Sequence, residues 1–276
     1  MKDKFKRFSE NNIIICPHCS SILKLEDRSL ICENKHCFDV AKQGYVNLLL
    51  NSKKFENYDK FSFENRHTVL ESGLYDNILN FIIDYINQFT NSKNILDVAC
   101  GEGYYSKKIS DSLDRNIYAF DISKDSIIIA ARSDKNELVK WFISDLANIA
   151  VKDSSFDFIL DIFSPANYEE FKRILKSDGS LIKVIPGENH LFEIREKVKD
   201  KLENSHYSNK AVVDCFSDSF DIIHRESISY KYEVTNELLM AIINMTPLLF
   251  NIDSSKIDWN DISEITIHAE VLIGKK

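Results

Sequence analysis

Cys16 and Cys19, with two residues between them, are followed after a twelve-residue spacer by Cys32 and, three intervening residues later, by His36. Thiolates and an imidazole at this spacing can close a tetrahedron around one Zn²⁺, each knuckle delivering two ligands. Cys37 directly follows His36, so spacing alone leaves the fourth ligand open between these two. Between the knuckles the only large apolar residues are Ile22, Leu23, Leu25, Leu30 and Ile31, too few for a core. A segment of roughly 40 residues buries too little apolar surface to fold unaided, whereas structural zinc contributes on the order of 10 to 16 kcal/mol. A metal is therefore the expected organiser. Buried thiols or a disulfide pair are the plainer reading, but CxxC followed at finger-like distance by CxxxH is not a packing pattern.

A second constellation runs from Asn94 to Gly103, where a short apolar strand enters a turn holding Gly101 and Gly103. Tyr104 to Leu113 then reads as a helix. Glycines in such a strand-turn-helix corner let the backbone approach a ligand where a Cβ would clash. Asp121 closes the next strand, Asn116 to Phe120, 24 residues after Asp97. A carboxylate there can accept both hydroxyls of a ribose. The third glycine of a dinucleotide fingerprint is replaced by Ser106, and Asp97 at the strand end repels phosphate and suits a ligand with an amine. This pattern resembles the S-adenosylmethionine (SAM) site of class I methyltransferases. By that geometry Asp145, after a third strand at Val139 to Ile143, would accept the adenine amino group.

The elements that must position these residues alternate. Ser155 to Phe163 reads as a fourth strand, followed by Ser164-Pro165 and a helix from Tyr168 to Lys176. Lys176 to Gly179 reads as a turn, Ser180 to Ile185 as a fifth strand, and Glu188 to Glu203 as a solvated helix. Ile222 to Tyr230 and the alternating Ile265 to Ile273 form a closing antiparallel pair. Strand-helix alternation implies a parallel sheet with right-handed crossovers.

With 276 residues, 44% of them hydrophobic, the chain suits one large domain plus a small appendage. The charged start lacks a signal-peptide pattern, and Asp84 and Asn87 interrupt the best apolar run, so a soluble, cytoplasmic protein with reduced thiols is expected, with no membrane partner. The net charge of -8 argues against a polyanionic partner. Its distribution differs: residues 1 to 54 carry ten Lys and Arg against six Asp and Glu, net +4, and the remainder carries 25 against 37, net -12. A chance surface bias is the plain reading of this split; the sharper one is that the zinc end faces polyanion and the rest does not.

Cys16-Pro-His-Cys19, Cys32-x3-His36, Phe38-Asp39-x-Ala41-Lys42-x-Gly44-Tyr45-Val46-Asn47-Leu48-Leu49 and Asp97-x2-Cys100-Gly-Glu-Gly-Tyr-Tyr105 together resemble the RlmA family of 23S rRNA guanine-N1 methyltransferases. The likeness runs nearly end to end, through Gly73-x-Tyr75, Phe163-Ser164-Pro165, Pro186-Gly187-x2-His190 and Met245-Thr246-Pro247. It implies an α/β class I methyltransferase, a Rossmann-like, seven-stranded, mostly parallel sheet. A zinc-binding RNA-recognition module would occupy residues 1 to 54 and the methyltransferase domain residues 55 to 276. It places the metal ligands on Cys16, Cys19, Cys32 and His36, and cofactor contacts on Tyr75, Cys100, Gly101, Glu102 and His190. Asp97, Gly103, Asp121 and Asp145 are added from the superfamily pattern. Asn77, where a proline is frequent, and the segment Asp145 to Val151, lacking the common L-P-F ending, depart from the family.

SAM carries an activated methyl group, so the protein's task is alignment, and positioning alone can be worth about 7 to 11 kcal/mol. Guanine N1 starts protonated and needs a base; Asp161, at the end of the fourth strand, is the candidate. The implied partner is a 23S rRNA hairpin, whose loop offers an unstacked base. Lys35, Lys42, Lys53 and Lys54 would hold it, and a homodimer is left open. A small-molecule methyltransferase and a non-enzymatic RNA-binding protein of the same fold are the rival readings. A basic zinc module has no use in the first, and an intact Asp97, Gly101, Gly103 and Asp121 set argues against the second.

Overall fold

The computed structural model describes residues 4–50, 60–202 and 207–276. Its N-terminal part is a three-stranded antiparallel sheet of β1 (Lys24–Glu26), β2 (Ser29–Ile31) and β3 (Cys37–Asp39). Asp27 at φ 51° turns β1 into β2, with Glu26 opposite Ser29. β4 (Tyr45–Asn47) then leaves this sheet and lies parallel to a strand of the large sheet, Tyr45 opposite Trp141.

The remaining elements follow in chain order: α1 (Lys60–Glu71), α2 (Asp76–Asn87), β5 (Asn94–Val98), α3 (Tyr104–Ser112), β6 (Asn116–Asp121), α4 (Lys124–Ser133) and β7 (Val139–Ile143). They continue with β8 (Phe156–Ile162), α5 (Tyr168–Ile174), β9 (Leu175–Pro186), α6 (Phe192–Val198), α7 (Lys210–Ser217), β10 (Asp221–Glu233), α8 (Asn236–Met245) and β11 (Glu264–Lys275). Side-chain oxygens of Ser123, Asn167 and Thr235 accept a backbone N–H from the first turns of α4, α5 and α8. The large sheet has the order β10-β11-β9-β8-β5-β6-β7-β4. β4 to β9 run parallel, and β11 returns antiparallel against β9 and β10. This is the expected seven-stranded class I sheet with β4 added at its edge, because Val46 is fully buried against the β7 side while only three residues long as a strand.

Two further boundaries differ from the sequence reading. β9 begins at Leu175, since buried Leu175 pairs with Phe156 ahead of a register shift, so the expected turn at residues 176 to 179 is drawn into the strand. The charged stretch after Glu188 makes the short α6 rather than a solvated helix, for Ile194 and Val198 are buried. Among the described residues no helix is long and apolar enough to cross a membrane.

The N-terminal residues do not form a core of their own. Phe8, Ile14, Leu23, Leu30, Val46 and Leu48 share one cluster with Leu96, Phe120, Phe142, Val151 and Ile159 of the large sheet. The expected boundary after residue 54 lies outside the described residues, as do Lys53 and Lys54. Arg7 ties the two parts together: its Nη1 donates to the Val139 carbonyl at 3.0 Å and pairs with Asp134 at 3.2 Å. Asp134 in turn accepts the Trp141 indole N–H at 2.9 Å.

The opposite end of the sheet holds a second buried charge pair, Lys183 Nζ to Asp161 at 2.6 Å, with both side chains almost fully buried. Removing one partner of such a pair strands a charge without water and costs about 3 to 5 kcal/mol. Lys183→Met is expected to lose that much in urea denaturation, and adding Asp161→Asn to recover most of it. A loss under about 1 kcal/mol for the single variant would show that the pair does not hold β8 to β9.

Candidate active site and metal centre

The chain runs from β5 outward through β6 and β7, then crosses back to β8 and β9, so the connections diverge between β5 and β8. At such a switch point the loops after the strands part and leave a crevice at their carboxyl ends. A cavity of about 330 Å³ opens there. Asp97, Ala99 and Cys100 wall it after β5, and Ile162 and Phe163 after β8. Tyr75, Tyr104, Tyr105, Pro186, His190 and the Met245-Thr246-Pro247 turn complete the enclosure. Ala99, Phe163 and Leu191 line it in the left-handed region at φ 49°, 53° and 54°. Backbone strain of this kind gathers at ligand sites, held by surrounding structure.

At the β5 end the glycine corner is sterically required. Gly103 sits at φ 72°, and a Cβ there would stand 2.3 Å from the Trp141 ring. The Asp121 carboxylate organises the turn, accepting the Gly101 N–H at 2.9 Å and the Ser123 N–H at 2.8 Å. Asp97 accepts the Ser106 hydroxyl, which gives the replaced third glycine a role the sequence did not show. Burial pushes the Asp97 carboxyl up to about 7 and also raises Asp121 and Glu102. Glu102 is buried beside the turn and pairs with Arg66 at 3.4 Å; Arg66 itself lies over Gly101. The Tyr105 hydroxyl is buried with no hydrogen-bond partner among the described residues.

At the β8 end the wall is aromatic. Ring centroids of Tyr75, Phe163 and His190 stand 5.7 Å, 6.0 Å and 6.3 Å apart. The His190 Nδ1 accepts the His268 backbone N–H at 3.4 Å, and burial lowers the imidazole to about 4. It is neutral at pH 7, with its proton on Nε2. Arg195 lines the same end, its Nε donating to the His190 carbonyl at 2.9 Å.

The structure thus brings Tyr75, Asp97, Cys100 and His190 into one wall, with Gly101, Glu102, Gly103 and Asp121 in the adjoining turn. Two expected residues stand elsewhere. Asp161 is fully buried, accepts Lys183 Nζ and the Ser164 hydroxyl at 2.5 Å, and alternates onto the sheet face opposite Ile162. It does not line the cavity, so a general-base role meets a sealed ion pair. Asp145 is exposed, outside the cavity wall, and its Oδ1 accepts the Ala147 N–H at 2.9 Å. Arg66 and Arg195 carried no sequence signal, because lone arginines on helical segments read as surface; Tyr105 stood in the family motif with no role attached to it.

Cys16, Cys19, Cys32 and His36 place their ligand atoms within 4.8 Å of one another. Cys16 Sγ and Cys32 Sγ each stand 3.4 Å from His36 Nδ1, and Cys19 Sγ lies 3.6 Å from Cys32 Sγ. These edges match the roughly 3.4 to 3.8 Å of a tetrahedron with metal bonds near 2.1 to 2.3 Å. The sulfur separation is far beyond the about 2.05 Å of a disulfide. Cys37 is exposed on β3, outside this cluster. The donor set fits Zn²⁺.

Two family models cover these sites: "RlmA, N-terminal" matches residues 14–55 and a methyltransferase domain matches residues 95–179. A Bacillus subtilis (strain 168) protein provisionally named 23S rRNA (guanine-N1)-methyltransferase YxjB is 32% identical, covering 98% of this chain and all of the relative. The chain belongs to the RlmA family. A second RlmA relative, the 23S rRNA (guanine(748)-N1)-methyltransferase of Streptomyces fradiae, is 26% identical over 88% of this chain and 87% of its own length. As an RlmA-family methyltransferase the chain uses SAM. The cavity fits that group chemically: a buried carboxylate could meet its amine, Gly103 admits no Cβ, and Asp121 braces the turn beside which its ribose would lie.

Asp97 carries the first prediction of this site. Its folded value, about 7, lies above the ordinary 3.8, so ionising it costs stability as pH rises through that window. An ammonium group from the ligand reverses the balance. SAM affinity in calorimetry is expected to fall as pH drops below about 7, and Asp97→Asn to weaken it at least about tenfold while raising the melting temperature of the ligand-free protein. Unchanged affinity would remove Asp97 from the cofactor site. Metal analysis is expected to find one zinc per chain, kept by Cys37→Ser and lost by His36→Ala; retention in the latter would reassign the fourth ligand.

Proposed function

We propose that this protein methylates N1 of a guanine in a 23S rRNA hairpin loop, with residues 1 to 54 recognising the RNA and residues 55 to 276 carrying out the transfer. The observation that supports this best is the continuity of the switch-point cavity, which joins a carboxylate-lined cofactor end to an aromatic end in a chain whose basic N-terminal module shares the same sheet. A small metabolite would need the first two features but not the third.

SAM supplies an electrophilic methyl group on its sulfonium. Asp97 would orient the amine of that molecule and Asp121 and the glycine corner its nucleoside, while Tyr75 and His190, cofactor contacts by the family resemblance, stand with Phe163 where its methyl end would meet the space that a base must enter. A base inside a stack does not reach such a wall, so a loop nucleotide is the cheaper target, flipping costing on the order of a few kcal/mol. Lys35 and Lys42 are exposed on the N-terminal module and available to phosphate.

The deciding experiment incubates the protein with labelled SAM and a bare 23S rRNA transcript. Transferred label and a reverse-transcription stop at a single guanine are expected, because an N1 methyl blocks the pairing edge. Label without a stop would exclude N1. For the RNA-holding role, Lys35→Glu with Lys42→Glu is expected to weaken RNA binding and flatten its salt dependence by about two charges; an unchanged slope would move the clamp elsewhere.

A further inference from the structure

Neutral guanine carries a proton on N1, and its nitrogen pair is tied into the adjoining carbonyl. Methylation there needs the proton gone, and the negative charge left behind gathers on O6. The cavity offers little to take that proton. Asp97 belongs to the cofactor end and accepts the Ser106 hydroxyl. Asp161 is sealed behind Lys183. His190 already accepts the His268 N–H, so its other nitrogen donates. Burial raises the Tyr75 and Tyr105 phenols, which stay neutral. What the acceptor end does hold is a cation.

We propose that Arg195 is the residue that reads the target guanine and stabilises its N1-deprotonated form, its guanidinium taking the O6 and N7 edge of the flipped base. This rests on the guanine-N1 reading above. Arg195 lines the cavity beside Phe163 and His190, at the β8 and β9 side where the acceptor must enter. Arg66, the other cavity arginine, is engaged over Gly101 with Glu102. The Arg195 fork is fixed at its root by the bond from Nε to the His190 carbonyl, and its guanidinium carbon stands 4.7 Å over the Tyr207 ring. The short helix that carries it is itself anchored, Glu193 accepting the Thr266 N–H at 2.8 Å and its hydroxyl at 2.6 Å. A planar guanidinium matches O6 and N7 of guanine bidentately. A fixed cation at the oxygen where charge develops also lowers the cost of losing the N1 proton.

The step balances without a side-chain base. The N1 proton passes to a solvent water or hydroxide, the N1–methyl bond forms as the methyl–sulfur bond breaks, and the sulfur keeps that electron pair as a neutral thioether. Arg195 stays protonated throughout. The neutral His190 and the Tyr207 phenol raised by burial stand against it, and Arg66 and Asp97 line the same cavity, while Glu193 and Glu196 of its own helix are engaged by Thr266 and Lys199.

The test follows kcat against pH from 6 to 10 at saturating SAM, on the bare 23S rRNA transcript and on one made with 7-deazaguanosine. Arg195→Met is expected to lower kcat roughly ten- to a hundredfold and to move the rising limb up by about one pH unit or more, with Arg195→Lys intermediate. Removing N7 should slow the wild type severalfold and leave Arg195→Met no slower than before. SAM affinity by calorimetry should stay within about threefold, as it must if the His190 turn is intact. An unmoved limb, or an equal N7 penalty in both proteins, overturns the assignment, and lost SAM affinity with an unmoved limb reduces Arg195 to a support for that turn. A wild type that makes no N1-methylguanine overturns the functional reading and this one with it, whereas N1 methylation with an unmoved limb overturns this one alone.

Discussion

Burial of the Asp97 carboxylate at the carboxyl end of β5 is the constraint around which the rest is arranged. Moving that group out of water disfavours its charge, and neither Ser106 nor any other nearby group fully offsets the penalty. The fold tolerates it because the strands diverge beside it and the corner that follows excludes side chains. A site that is costly when empty and relieved by a cationic ligand is arranged for binding rather than for stability.

The same logic separates the two carboxylates at neighbouring strand ends. Asp97 faces the cavity and Asp161 the opposite face, although β5 and β8 run side by side with Val98 opposite Asp161. One residue of register separates a cavity-facing acid from half of a structural ion pair. The cavity therefore runs from the Asp97 carboxyl at the β5 end through an aromatic middle to the Arg195 guanidinium at the β8 and β9 side, and its chemistry is ordered along the sheet edge.

Much of this was legible in the sequence. The glycine corner shows itself because close backbone approach admits few alternatives, and the Cys3His cluster because metal geometry constrains spacing. The parallel run of the central strands followed from alternation, and β6 to β8 fell within a residue or two of expectation. β4 was not legible, since Tyr45-Val46-Asn47 is too short to display a period and gains its partner strand from β7, with Tyr45 opposite Trp141 far along the chain. The facing of Asp161 and the exposure of Asp145 depend on register and loop path, which a local pattern does not contain. Arg66 and Arg195 look like any solvated helical arginine until tertiary structure turns them inward.

The N-terminal segment, finally, is wired to the nucleoside corner from below. Arg7 braces Asp134, Asp134 clasps the Trp141 indole, and that ring is the floor on which Gly103 rests. A chain shortened by its first ten residues would keep every group that lines the cavity yet lose the prop beneath its glycine corner. The N-terminal segment is thus a foundation for the glycine corner, and the metal centre and the cavity share one mechanical frame.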